Sequence, residues 1–160
     1  MSLRASFVRT LGQRDRIYVT RSDGSQVSWA FPTYGDELPH DLVHLVVESV
    51  FGLRQGFWGR VDAGADPGRI SDEANRRGGK DKYSAFGPDQ RELMLAEVLA
   101  AAPWNDPNIR AALEAAATRA GVELKVDPED PRPEEVRARL DDLRVSWAGL
   151  LPKGALDLEF

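Results

Sequence analysis

Cysteine is absent from the 160 residues, and histidine occurs only twice, as His40 and His44. The first absence removes disulfide scaffolds, thiolate zinc fingers, iron–sulfur clusters and cysteine nucleophiles together. Any transition-metal site must then lean on imidazole. Positive charge is also short, with 21 Lys and Arg against 26 Asp and Glu and a formal net charge of −5. That balance argues against a broad nucleic-acid or anionic-lipid surface. Long apolar runs are missing, so no transmembrane span is expected. The opening Met1-Ser2-Leu3-Arg4 lacks the pattern of a signal peptide. Together these features point to a soluble cytoplasmic protein.

What is present suffices for one core. Apolar residues make up 42% of the chain, and a chain of this length buries enough surface to fold without staples, so residues 1–160 read as a single domain. The fold class expected is α+β, with strands at the two ends and helices between. Residues 1–32 read as an antiparallel β-meander. Ile17 and Val19 alternate with polar neighbours, Ser22-Asp23-Gly24-Ser25 supplies a turn, and Val27, Trp29 and Phe31 alternate again. An earlier strand around Ala5 to Leu11 completes three strands, which need a cover.

The cover is a helix from about Leu38 to Phe51, with Pro39 in its first turn and Gly52 ending it. Gly56 to Ala65 spaces small residues three and four apart, as a short helix or a tight loop would, and Trp58 there is the tryptophan best placed to line a pocket. Residues 66–89 read as a mobile polar loop with about one helical turn near Ser71 to Asn75, a segment suited to folding on a protein partner. Residues 90–160 read as mainly helical: Gln90 to Ala102, a helix capped by Asp106 with Pro107 in its first position and ending before Gly121, and Glu134 to about Trp147. Val122, Leu124 and Val126 alternate as in a short strand. Leu156, Leu158 and Phe160 alternate as in a strand that returns to the N-terminal sheet.

One constellation carries chemistry. His40 and His44 stand four apart on the first helix, so both imidazoles lie on one face, one turn apart, where they can reach a single divalent ion. At about 100° per residue, Glu37, His40, Asp41, His44 and Glu48 fall within an arc of roughly 100°, while Leu42, Val43, Leu45, Val46, Val47 and Val50 occupy most of the rest. Such a stripe is either the solvent-facing edge of an amphipathic helix or the polar wall of a metal pocket. Glu48 lies about 12 Å along the axis from His40, too far to share its ion easily; it can ligate beside His44 or orient an imidazole from behind. A further donor must come from elsewhere. Asp62 and Asp66 are nearest in sequence, with Asp72, Glu73 and Asp81 beyond them.

His40-Asp41-Leu42-Val43-His44 resembles the HExxH motif of zinc hydrolases with aspartate in the glutamate position, and it matches the HDxxH start of a quinone-biosynthesis protein family. The first resemblance implies zinc on His40 and His44, with Asp41 as the general base acting on water at the metal. Aspartate is one methylene shorter, with about 1.5 Å less reach. The second pattern places a glutamate after eleven further residues, where this chain has Gly56. The wider stretch from Leu38 to His44, with Gly56-Phe57-Trp58-Gly59, is similar to a group of uncharacterised bacterial proteins and implies no activity.

Two functions follow from the residues. In one, the chain binds a divalent metal, best zinc, through His40 and His44 and is a hydrolase in which Asp41 or Glu48 handles protons. In the other, it is a non-enzymatic interaction or accessory domain with the histidine and acid stripe exposed to solvent.

Overall fold

The computed structural model describes residues 2–10, 14–32, 35–76 and 90–160, with the backbone alone for 73–76. It is an α+β fold. Strands β1 (Arg4–Arg9), β2 (Asp15–Thr20) and β3 (Gln26–Phe31) form the meander, and β4 (Gly154–Glu159) joins it, in the order β3-β2-β1-β4 with every pair antiparallel. The returning strand pairs Leu156 with Phe7 and Leu158 with Ala5. Between them run α1 (His40–Phe51), α2 (Phe57–Asp62), α3 (Pro67–Arg76), α4 (Gln90–Ala100), α5 (Ile109–Ala120) and α6 (Arg132–Ala148). No described helix is long and apolar enough to cross a membrane.

Strand alternation sets the inner face. Ala5, Phe7, Ile17, Val19 and Phe31 are buried in one cluster with Leu42, Leu45, Val46 and Val47 of α1, while Arg4, Arg16 and Tyr18 face out. Each such buried large side chain contributes about 1.5–3 kcal/mol relative to exposure. The 2–3 hairpin closes on Gly24, whose φ of +89° needs glycine, with Asp23 accepting from the backbone N–H and hydroxyl of Ser25.

Helix α1 is the axle of the core. It packs against α2, α4 and α6, and His44, Glu48 and five apolar side chains along it are buried. Pro39 stands at its N-cap, a place where the missing N–H costs nothing. Its end is a left-handed Gly52, φ +68°, after which the Leu53 N–H reaches back to the Glu48 carbonyl.

Several expectations are corrected. The polar stretch expected to be a loop begins with a ten-residue helix, α3, because Asp66 accepts from the Gly68 N–H at its start, Pro67 fits the first turn and Ile70 enters the core. The remainder of that expectation, residues 77–89, lies outside the described residues. Between Gly56 and Ala65, where a short helix and a tight loop are both open from sequence, the chain forms the six-residue helix α2. Helix α5 starts two residues later than expected, at Ile109, because the Asp106 carboxylate accepts from the Asn108 N–H and so holds a turn before the helix. Val122 to Val126 is not a strand. The Val122 N–H closes the end of α5 on the Ala117 carbonyl and the Val126 N–H donates to the Glu114 carboxylate, so no partner strand is involved.

Candidate metal centre

Two helices build the site. Helix α1 supplies His40 in its first turn and His44 one turn on, with ring centroids 4.7 Å apart and planes at 82°. Helix α4 buries Leu93, Ala96 and Leu99, and this same face carries Glu97 to the histidines. Glu97 Oε1 lies 3.0 Å from His44 Nε2 and 3.6 Å from His40 Nε2. Among the described residues, His40, His44 and Glu97 form a group able to hold a metal ion, with one ligand atom from each, all within 4.8 Å of one another. A tetrahedral zinc ion with ligands at about 2.0–2.2 Å holds its donors about 3.3–3.6 Å apart, so donor shifts of about an ångström would suffice.

The stripe on α1 runs from solvent to interior. The His40 side chain is 57% exposed, His44 5% and Glu48 0%. The expectation of a solvent-facing stripe therefore fails for its inner half, because packing against α4 and α2 closes over His44 and Glu48. Glu48 Oε2 lies 2.8 Å from His44 Nδ1, and Glu48 Oε1 accepts from the Trp58 backbone N–H at 2.9 Å. Both nitrogens of His44 thus meet carboxylates.

That arrangement decides protonation. Burial pulls the His44 imidazolium pKa down, but the hydrogen bonds to Glu48 and Glu97 and the two negative charges outweigh it and place it at about 10. Burial pushes the Glu48 carboxyl up, against the pull of His44 and the Trp58 N–H. For Glu97, burial also acts upward, and the hydrogen bonds from His40 and His44 overcome it, holding the carboxyl well below the usual range. In the metal-free chain the cluster is an imidazolium held between Glu48 and an ionised Glu97.

Asp41 has a different partner. Its Oδ2 accepts from the Trp29 indole N–H at 3.0 Å, and its backbone carbonyl accepts from the Trp58 indole N–H at 2.8 Å. It is not part of the group of potential ligands. Trp58 itself is fully buried, so the tryptophan expected to line a pocket is a core residue, and half-buried Trp29 is the one beside Asp41.

The extra donors expected from sequence lie elsewhere. Asp62 accepts from the Ser22 N–H and hydroxyl at 2.7 and 2.8 Å, fastening the 2–3 hairpin to α2. Asp66 starts α3, and Asp72 is exposed on it. The Glu73 side chain and Asp81 lie outside the described residues. Sequence reasoning missed Glu97. The available signal was an acid four residues after Leu93 and next to Ala96, on the apolar side of an otherwise ordinary helix.

Comparison of the chain with protein-family models, with curated proteins and with solved structures returned no match. The functional argument therefore rests on the residues themselves.

Proposed function

We propose that the chain is a divalent-metal-binding protein whose ion sits between α1 and α4, on His40 Nε2, His44 Nε2 and Glu97 Oε1. One observation carries this reading: a single carboxylate oxygen approaches Nε2 of both histidines, at 3.0 and 3.6 Å. Two imidazoles and a carboxylate are a ligand set of catalytic zinc sites, and the same set also suits ferrous iron. Zinc is the better fit to the His-x-x-x-His spacing on one helix, which the HExxH resemblance supports. Charge agrees: the ionised Glu97 faces both imidazoles, and a divalent ion would take the place of the proton that His44 holds toward it.

A bound zinc would supply Lewis-acid activation of water and of a polarised substrate bond, the chemistry of a hydrolase. His40, the most exposed ligand, marks the side from which a substrate would approach. The HExxH resemblance makes Asp41, next to His40 in the chain, the proton-handling residue of this reading, through Oδ1, since the Trp29 indole N–H engages Oδ2. Glu48 has both oxygens engaged by His44 and Trp58 and lies behind the ligand rather than beside the substrate.

A second reading is favoured by one observation, that carboxylates meet both nitrogens of His44. There the cluster is a buried polar lock between α1 and α4 in a non-enzymatic accessory domain. Zinc titration of the purified, chelator-stripped protein separates the two. The metal reading expects saturation near one ion per chain and loss of binding in Glu97→Ala; the lock expects no binding.

A further inference from the structure

We propose that Glu48 is the positioning residue of the metal centre, seated by the Trp58 N–H in the space left by Gly56, and that it holds His44 with Nε2 turned to the ion. The inference rests on the reading of His40, His44 and Glu97 as ligands. It adds a layer of residues that never touch the metal and yet set its affinity.

The geometry is specific. Glu48 reaches His44 at Nδ1, 2.8 Å away, which leaves Nε2 to face Glu97. A carboxylate on the far nitrogen fixes both the ring orientation and the position of the proton in a metal-ligating imidazole. Glu48 is 0% exposed, and Trp58 supplies the only backbone donor to it that the described residues show. That donor is itself well held, because the Trp58 ring is fully buried, packed edge-on against Phe7 and tilted against Trp29, and its indole N–H donates to the Asp41 carbonyl. A carboxylate so deeply buried is costly to the fold alone, and apolar packing would be cheaper.

Gly56 completes the seat. Its φ of −78° and ψ of −160° are open to any residue, so backbone strain does not demand glycine there. Space does: a Cβ at position 56 would collide with Glu48 Oε1 and lie 2.8 Å from Glu48 Cδ. A side chain at 56 forces the Glu48 carboxylate, or the turn that carries residue 56, to shift and so disturbs the contacts with His44 and Trp58. The short turn into α2 therefore acts on the metal site through Glu48.

The test compares zinc and cobalt(II) binding by the full-length wild type, Glu48→Gln and Gly56→Ala, with Val136→Ala as a destabilised control whose buried side chain lies on α6. Gln keeps the shape but turns an amide NH2 toward either His44 or Trp58, and Ala disturbs the contacts of the carboxylate without removing its charge. The expected result is binding about 10–100-fold weaker in both variants, with a shifted cobalt(II) visible spectrum, and wild-type binding in Val136→Ala. Circular dichroism confirms that each variant is folded, and Gly56→Ala carries the test if Glu48→Gln is not. Wild-type affinity and spectrum in folded Gly56→Ala would overturn the positioning role and leave the metal reading standing. A wild type that takes up neither ion overturns both.

Discussion

Glu97 on α4 and His44 on α1 meet at 3.0 Å although 53 positions separate them, and His44 is held from its other side by Glu48, one turn along its own helix. The imidazole is thus the joint between two helices of the core. The consequences differ sharply between the two histidines.

His44→Ala leaves Glu48 buried without its counter-charge, and breaking a buried pair this way costs about 3–5 kcal/mol. His40→Ala removes a mostly exposed ring and stays within about 0.5 kcal/mol of neutral. Urea denaturation of the metal-free variants reads both. Equal effects would contradict the inside-to-outside order of the stripe, and zinc affinity should fall in both.

Glu97→Gln keeps the shape of the side chain but removes the charge that faces both imidazoles. Because the group is 28% exposed, solvent screening limits its effect on the metal-free fold to about 1–2 kcal/mol. Its effect on zinc is larger, at least tenfold in affinity, measured by competition with a chromophoric chelator. A variant that binds as the wild type does would remove Glu97 from the ligand set.

The metal-free protein has a signed pH dependence. The His44 pKa, about 10 in the fold, lies above its ordinary 6.5. Its contribution is therefore complete below pH 6.5 and drains away as pH rises toward 10. Glu48, pushed up from 4.5 by burial, loses its contribution in the same direction. Glu97, held below its ordinary 4.5, has the opposite sign: its contribution is present above pH 4.5 and is lost as pH falls. Chelator-treated protein should show its highest melting temperature between about pH 4.5 and 6.5. A maximum at pH 8 or above would contradict the imidazolium held between Glu48 and Glu97.

Asp41→Asn should leave zinc stoichiometry and affinity unchanged, since Asp41 is not in the His40, His44 and Glu97 group. In the hydrolytic reading it removes the proton acceptor, so any esterase or amidase activity of the zinc-loaded protein should fall at least a hundredfold, the scale of general-base catalysis. Weakened metal binding in this variant would instead place Asp41 among the ligands.

The readable parts of the fold were those in which a local pattern reports a tertiary surface. Ile17 and Val19, or Leu156 and Leu158, alternate because one face of a sheet is buried. The histidine pair was readable for a similar reason, since spacing four on a helix fixes a shared face without knowledge of what lies opposite. Glu97 was not, because a charged residue on a helix carries the same letter whether it faces water or an imidazole from another helix. Helix α3 is read from sequence only as about one turn near Ser71 to Asn75, since it commits only one large apolar side chain, Ile70, to the core. Val122 and Val126 misled in the other direction: both are buried, but alternation reports an extended chain lying on a surface, and does not report a neighbouring strand.

Metal content tests the central claim most directly. Purified protein, stripped with a chelator, reloaded with zinc and freed of excess, should carry about one zinc per chain by elemental analysis, falling to background in His44→Ala and Glu97→Ala. Wild-type protein at background after the same loading would contradict the account and leave the cluster as a lock between two helices.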